Sequence, residues 1–263
     1  MTARTEVLAV RFGRHRMRRS AYFLHYEGYG EPDDDIDLDY SLWVVRGPSG
    51  TVVVDTGFAP EVGARRGREV LADPVEALAA AGIDASSVGT VVVTHAHYDH
   101  IGNLDRFPSA EIVMARREYE FWQGPFASRP HFAQPTEATE IGRLATLRAE
   151  GRVTLFDGGH RIGPGVELVE LGGHTPGQLV VVVEGEDAGA VLASDAIHSY
   201  EEYERDRPFG IVGDVAAMYA AFDRIREIEQ RPGTQVVPGH DPAVLERFEV
   251  LPDAAGAAVR RVL

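Results

Sequence analysis

Apolar residues in this chain cluster in short runs separated by glycine, proline and acidic residues. Short valine-rich runs bounded by turn-forming residues are typical of buried β-strands. The first two runs are joined by the turn Gly47-Pro48-Ser49-Gly50. The pattern predicts strands at 42–45, 51–54, 90–94, 111–114, 153–156, 166–171, 179–184, 190–193 and 235–237.

Three segments have the apolar spacing of helices instead. Residues 214–230 carry apolar side chains at three- and four-residue intervals after Asp214, which can cap the first turn. The same spacing predicts a helix at 136–149. A short helix is predicted between Asp73, a capping residue, and Gly82, which ends it. Strands therefore outnumber helices, and their partial alternation predicts sheets covered by helices.

The size and composition are ordinary for a soluble globular protein. The chain has 263 residues, of which 44% are apolar and 25% charged, so it can bury a substantial core. No apolar run is long enough to span a membrane, and the N-terminal residues contain no apolar segment of signal-peptide length. We therefore expect a cytoplasmic protein without a membrane partner.

Cysteine content and charge narrow the chemistry further. The absence of cysteine excludes disulfides, thiolate nucleophiles and cysteine metal sites, so any metal ion must be held by imidazole and carboxylate. The formal net charge of −15 argues against a nucleic-acid partner. A basic stretch, 11–19, precedes an acidic one, 33–39, and we interpret both as solvated surface charges rather than an anion-binding arm.

One predicted strand ends in a concentration of metal-binding side chains, in the sequence THAHYDHIGN at 94–103. His95 and His97 are two residues apart, so in an extended segment they project to the same side. Asp99 and His100 follow where the chain turns. One strand end can thus offer ligands to two neighbouring ions. Imidazole and carboxylate without sulfur suit zinc, and also iron, manganese or cobalt.

Further metal-binding residues follow later strands. His174 lies in a glycine-rich turn after one strand, and Asp195 and His240 each come directly after another. Each position is weak evidence by itself, but the recurrence predicts that several strands deliver ligands to one edge of a sheet. Two ions need about seven or eight protein ligands, and the sequence supplies a set of that size.

These motifs resemble a known family. THAHYDHIGN resembles the HxHxDH signature of the metallo-β-lactamase fold, and the order HxHxDH, His, Asp, His resembles its dinuclear hydrolases. The similarity is greatest with the quorum-quenching N-acyl-homoserine lactonases. It includes VVVDTG at Asp55, PGVELVELGGHTPGQ, SDA at Asp195 and the PGHD ending, and it extends over residues 40–248.

The resemblance implies an α/β (α+β) fold, the four-layer αββα sandwich of the metallo-β-lactamase fold. It implies one domain over residues 1–263, with a segment around 116–150 covering the pocket. The aromatic residues of 116–135 either line an apolar acyl-binding pocket or pack in the core, and the sequence does not decide between these.

The resemblance also implies a role for each metal-binding residue. Two divalent ions are expected, zinc before iron, manganese or cobalt. One would be held by His95, His97 and His174. The other would be held by Asp99, His100 and His240. Asp195 would bridge both ions, and Asp55 would orient a ligand histidine without binding metal.

The chain departs from the lactonases at one position. Where they carry a tyrosine, three residues after the bridging aspartate, this chain has His198. We expect His198 to donate a hydrogen bond to the substrate carbonyl. The alternatives are that His198 is a bystander or that Tyr200 or Tyr203 takes this role.

The function implied is hydrolysis of an N-acyl-homoserine lactone or related cyclic ester by attack of a metal-bridging hydroxide. Asp99 would pass a proton to the leaving group. The expected partner is a small-molecule lactone or ester, and a homodimer is compatible with the sequence. Two alternatives remain open: a thioesterase of the glyoxalase II kind, and a non-catalytic, metal-stabilised sensor domain.

Overall fold

The computed structural model describes residues 5–48, 50–163, 165–254 and 256–263. The strands are β1 (Glu6–Arg18), β2 (Asp35–Gly47), β3 (Gly50–Val54), β4 (Glu69–Val70), β5 (Thr90–Val92), β6 (Glu111–Ala115), β7 (Val153–Phe156), β8 (Gly159–Gly163), β9 (Val166–Glu170), β10 (Leu179–Glu184), β11 (Gly189–Ser194), β12 (Thr234–Pro238), β13 (Glu249–Ala254) and β14 (Ala257–Arg261). The helices are α1 (Arg19–Tyr22), α2 (Pro60–Arg65), α3 (Pro74–Ala80), α4 (Tyr98–Ile101), α5 (Arg116–Trp122), α6 (Pro130–Ala133), α7 (Ala138–Ala149), α8 (Tyr200–Glu204), α9 (Val215–Glu229) and α10 (Val244–Arg247).

The elements predicted from apolar spacing are present. The three predicted helices are α3, α7 and α9. The predicted N-terminal capping residues of α3 and α9 are confirmed. The Asp73 side chain accepts the backbone N–H of Val75, and Asp214 accepts that of Ala217. The predicted turn between β2 and β3 includes Ser49, which lies outside the described residues.

The apolar pattern missed β1, because the outer half of this strand carries alternating arginines. Arg16 lies opposite Asp37 of β2, and its Nε atom is 2.6 Å from Oδ1 of that residue. Arg18 pairs with Asp33 and Asp35 in the same way. The basic and acidic stretches thus meet as exposed cross-strand ion pairs, each worth at most about 1 kcal/mol.

The strands form two sheets. The larger has the order β13-β14-β1-β2-β3-β5-β6-β7, and β4 pairs with β1 beside this path. The smaller has the order β12-β11-β10-β9-β8. Strands β3, β5, β6 and β7 run parallel to one another, as do β11 and β12. The carboxyl ends of neighbouring parallel strands therefore meet at a common edge of each sheet.

Alternate side chains along the strands enter different layers. In β3, Val52 and Val54 join the apolar cluster between the sheets, whereas Val53 joins the cluster that contains residues of α3 and α7. In β10, Val181 enters the inter-sheet cluster and Val182 packs with residues of α9. Both faces of each sheet are covered, which explains why these strands are continuous apolar runs. The layers follow the order helices, sheet, sheet, helix.

In the part of the chain that the structure describes, no helix is long and apolar enough to cross a bilayer.

Candidate metal centre

Seven buried imidazole and carboxylate side chains meet at the edge where β5, β11 and β12 end. They form two groups, and within each group the ligand atoms lie within 4.8 Å of one another. The first group is His95, His97, His174 and Asp195. The second group is Asp99, His100 and His240. These are the residues proposed as ligands from the sequence, and the fold brings all of them together.

The segment after β5 contributes residues to both groups. A change of backbone conformation at His97 separates the residues of the first group from those of the second. His95 and His97 follow β5 in extended backbone, and His97 is the last residue before α4. In a helix each residue turns about 100° from the one before, so Asp99 and His100 project in other directions. The helical turn therefore directs the second pair toward a different group from the first.

Asp195 lies between the two groups. Its Oδ1 atom is 3.0 Å from Nε2 of His240 and 3.2 Å from Nε2 of His100. Its Oδ2 atom is 3.3 Å from Nε2 of His174 and 3.7 Å from Nε2 of His95. Each carboxylate oxygen therefore faces the imidazoles of one group, which is the arrangement that a bridging ligand requires.

The side chains present fit two divalent cations. The Nε2 atom of His95 is buried and has no hydrogen-bond partner among the described residues, so its lone pair is available. Burial lowers the pKa of His97 to about 3 and holds the pKa values of His95 and His174 well below their usual range. These imidazoles are therefore neutral at neutral pH, the form that binds metal.

Asp55 holds His100, one of the candidate ligands, in place. Its Oδ2 atom is 2.8 Å from Nδ1 of His100, and its two oxygens accept the backbone N–H and the hydroxyl of Thr94, each at 2.8 Å. The side chain is fully buried at the end of β3. A proton on Nδ1 of His100 satisfies this contact and leaves the Nε2 lone pair facing Asp195.

Glu118 of α5 was missed by the sequence analysis. Its buried carboxylate accepts four hydrogen bonds, from the backbone N–H of Ala96 and Gly177, the indole of Trp122 and the hydroxyl of Thr175, at 2.6 to 2.9 Å. It thereby ties the segment carrying His95 and His97 to the loop carrying His174. The chain offers no local signal for this role, since Glu118 lies on a helix and its partners are far along the sequence.

Two glycines allow that loop to pack closely. A Cβ atom on Gly177 would lie 2.2 Å from the backbone nitrogen of Glu118, and one on Gly173 would lie 2.7 Å from Cα of Met218. Gly173 also has a φ of +96°, which other residues rarely adopt. The glycines of GGHTPGQ therefore let the His174 loop approach α5 and α9.

A model of the metallo-beta-lactamase superfamily matches residues 37–240, a range that contains every residue of the two groups. The chain belongs to the metallo-β-lactamase superfamily. It is similar to the N-acyl homoserine lactonase AttM of Rhizobium johnstonii, with 27% identity over 247 residues, 83% of this chain and 88% of that protein. The AttM protein of Azorhizobium caulinodans is 28% identical over 238 residues, with the same coverage.

Solved structures support the fold assignment. An N-acyl homoserine lactone hydrolase with N-hexanoyl-L-homoserine bound at its catalytic metal centre matches with a TM-score of 0.79 and 21% identity, over 96% of this chain and 99% of that one. The dizinc quorum-quenching lactonase AidC matches with a TM-score of 0.72 and 19% identity, over 100% and 95%. The predicted fold class and the predicted similarity to lactonases are confirmed.

Within this superfamily centre, His198 stands beside the ligand groups. Its Nε2 atom is buried and lies 3.2 Å from Oδ2 of Asp195. Its Nδ1 atom is 3.1 Å from Oε2 of Glu202, and its ring stacks on Phe209 with centroids 3.9 Å apart. Burial acts to lower the pKa of His198, but the carboxylates of Glu202 and Asp195 outweigh it and raise the pKa to about 9.

The two tyrosines considered as substitutes for His198 point elsewhere. The hydroxyl of Tyr200 donates to the backbone oxygen of Val236, and that of Tyr203 donates to Glu229. Both side chains line a different cavity, beside β12 and α10. Of these three residues, His198 is the one whose side chain reaches the centre.

A small cavity of about 80 Å³ opens beside the centre. Its floor contains Asp99, Asp195 and several of the histidines. Its apolar wall is formed by Met17, Leu38, Pro135, Phe209 and Ile211. Tyr40, Arg68, Tyr98 and His15 complete the lining. The cavity thus combines apolar side chains with the candidate metal-binding ones.

The aromatic segment 116–135 contributes mostly to packing. Tyr119, Phe121 and Phe132 pack against the cluster between the large sheet and its helices, and Trp122 is buried in it. Only Pro135 of this segment lines the cavity described above. Trp122, His131 and Phe132 also line a smaller recess beside His97 and His174, so the segment serves both packing and the surroundings of the centre.

Proposed function

We propose that the protein is a lactonase, which hydrolyses an N-acyl-homoserine lactone or a related cyclic ester with two divalent cations bound. The observation that carries this proposal is the complete donor set around Asp195, whose two oxygens face different groups of histidines. The relatives named N-acyl homoserine lactonases support the reaction class.

The proposed ligands follow the two groups in the structure. One cation would be held by His95, His97 and His174, the other by Asp99, His100 and His240, and Asp195 would contact both. Zinc suits this set best, and iron, manganese or cobalt share its ligand preferences. When bound, the cations supply activated water at neutral pH and positive charge that polarises the ester carbonyl.

Asp99 is the proposed proton carrier. Its Oδ2 atom lies 3.7 Å from Nε2 of His100 and 3.8 Å from Nε2 of His240, whereas Asp195 approaches the same two atoms to 3.2 and 3.0 Å. The side chain also lines the cavity, where a substrate oxygen can reach it. A proton held at Oδ2 would pass to the leaving alkoxide as the ring opens.

His198 is the proposed donor to the substrate carbonyl. The carboxylate of Glu202 accepts a hydrogen bond from Nδ1–H of His198. A neutral imidazole carries one N–H, so in this form its Nε2 could not donate as well. The doubly protonated ring can, and the buried carboxylate of Glu202 beside Nδ1 stabilises that form. We therefore propose Nε2–H of His198 as the donor to the substrate carbonyl.

A substrate panel tests the proposal. Metal-loaded protein should hydrolyse N-acyl-homoserine lactones and release one proton for each ring opened, which a pH-stat records. Preferential hydrolysis of acyl thioesters would instead favour a thioesterase of the glyoxalase II kind. If protein with both metal ions bound hydrolysed neither lactones nor thioesters, a metal-stabilised sensor domain would be favoured and the proposal overturned.

A further inference from the structure

The cavity beside the metal centre contains an arginine that has no carboxylate partner. Arg68 lines this cavity, and among the described residues its guanidinium forms no ion pair. Neighbouring arginines differ in this respect: Arg14 pairs with Glu69 at 2.6 Å, and Arg66 pairs with Glu137 at 2.8 Å. Burial disfavours the charge of Arg68, and the protein offsets this through Tyr40, Tyr98 and the charge of Asp99, which lies beyond salt-bridge distance.

The guanidinium of Arg68 is held in a fixed position. Its Nε atom donates to the hydroxyl of Tyr98 at 2.9 Å, and that hydroxyl donates to the hydroxyl of Tyr40 at 3.2 Å. Both tyrosines are buried, and both line the same cavity. This contact uses Nε and leaves the terminal amino groups, Nη1 and Nη2, without a hydrogen-bond partner in the described part of the chain.

The surroundings indicate which ligand these amino groups would take. The same cavity offers apolar side chains, including Met17, Leu38 and Ile211, which suit methylene groups. A planar guanidinium binds a carboxylate through two parallel hydrogen bonds. The chain has a net charge of −15, so an anionic ligand needs a local cation of this kind.

We propose that Arg68 is a specificity-determining residue, and that the substrate is a lactone whose acyl chain ends in a carboxylate. The ester would lie at the metal-binding side chains, the methylene groups along the apolar wall, and the terminal carboxylate on Nη1 and Nη2 of Arg68. A purely alkyl chain would cover Nη1 and Nη2 without offering them a hydrogen-bond acceptor. This inference rests on the proposed function, since it describes the substrate of the same site.

The test compares two lactones of equal chain length. N-hexanoyl-homoserine lactone has a neutral acyl chain, and N-(5-carboxypentanoyl)-homoserine lactone carries a terminal carboxylate. We expect the parent protein to have a kcat/KM about tenfold or more higher for the carboxylate, the range of a charge-assisted hydrogen bond. The gain should be mainly in KM, because the contact is the same in the ground and transition states.

Variants of Arg68 test whether this side chain causes the preference for the carboxylate lactone. Arg68→Met should lower kcat/KM for the carboxylate lactone about tenfold more than kcat/KM for the neutral lactone, so the preference is lost. Arg68→Lys should keep part of the preference, since the charge remains but not the planar fork. Arg14→Gln is the matched control, because it removes an exposed arginine already paired with Glu69. A parent protein that does not prefer the carboxylate, or an unchanged preference in Arg68→Met, would overturn the proposal.

A binding measurement separates this inference from the proposed function. If neither lactone is hydrolysed, the lactonase proposal fails, and calorimetry with N-(5-carboxypentanoyl)-homoserine, the ring-opened compound, still tests Arg68. Binding to metal-loaded parent protein about tenfold tighter than to Arg68→Met would support the recognition of a terminal carboxylate. Equal affinity of both proteins would overturn it.

Discussion

Nδ1 of His198 lies 3.1 Å from Oε2 of Glu202, and the same oxygen accepts the backbone N–H of His198 at 2.5 Å. Glu202 is fully buried, and its other oxygen accepts the backbone N–H of Phe209, whose ring stacks on the imidazole. The ring of His198 is thus held from two sides. Nε2 is the nitrogen left to face Asp195 and the cavity.

The first prediction concerns His198. A lost oxyanion donor costs about 10²–10³ in rate, and bound cations would carry part of the charge here. His198→Ala should therefore lower kcat by roughly ten- to a hundredfold on the best lactone, with both metal ions retained. His198→Tyr should keep much of the activity. Steady-state kinetics and elemental analysis of each variant provide the measurement.

A matched control exists for this variant. Tyr203→Phe removes a hydroxyl that bonds Glu229 rather than facing the centre, so its kcat should stay unchanged. A value of kcat for His198→Ala within twofold of the parent would make His198 a bystander.

The second prediction concerns metal content. Purified protein should carry close to two divalent ions per chain, and chelation should abolish hydrolysis. Asp195→Ala should be the most damaging single change, because both carboxylate oxygens are lost and two cations would repel each other without a charge between them. Elemental analysis that finds at most one ion in a fully active protein would contradict the two-cation reaction.

The third prediction concerns Asp55. Asp55→Ala removes the acceptor of Nδ1 of His100 but no proposed ligand, so metal retention should weaken by about 10–100-fold. A competition titration with a chelating dye measures this affinity. Asp39→Asn is the control, since His240 contacts the backbone oxygen of Asp39 rather than its side chain. Equal affinities in Asp55→Ala and the parent would show that Asp55 does not orient the ligand.

The fourth prediction concerns Glu118. Glu118→Ala leaves four buried donors without their acceptor, which should lower the free energy of unfolding by about 3 kcal/mol or more. The loops carrying His97 and His174 should also separate, so metal retention should fall. Glu120→Gln, on an exposed position of the same helix, should change neither quantity. Chemical denaturation and metal titration of both variants decide the outcome.

The fifth prediction concerns Glu140 of α7, whose Oε2 atom is buried without a hydrogen-bond partner in the described residues. Burial and the nearby charges of Glu137 and Asp99 raise the pKa of Glu140 from 4.5 to about 8. The folded state therefore keeps the proton between these pH values while the unfolded state loses it. The free energy of unfolding falls across this interval as pH rises, and the loss is complete above pH 8.

Glu140→Gln removes this titration. The variant should unfold like the parent below pH 4.5 and be more stable above pH 8, by about 1–2 kcal/mol once the partial exposure of the carboxyl is discounted. Denaturation curves at pH 4 and pH 8.5 measure the difference. A stability difference that is the same at both pH values would contradict the raised pKa.

Much of the fold and all seven of the proposed ligands could be predicted from the sequence, because both depend on local patterns. Continuous valine runs such as Val91–Val93 indicate strands buried on two faces, whatever they pack against. The proposed ligands follow such strands within motifs of a few residues, so His95, Asp195 and His240 can be proposed from the sequence alone.

Contacts between distant residues were decided by the tertiary structure. Glu118 meets Gly177 across 59 residues, and Arg68 meets Tyr98 across 30, so neither contact leaves a pattern of spacing in the chain. The strand β1 was missed for the same reason, since the charges of its arginines are matched by β2. Apolar periodicity indicates which face of a helix or strand is buried. The role of a buried carboxylate or of a cavity-lining guanidinium depends on partners that only folding brings within hydrogen-bond distance.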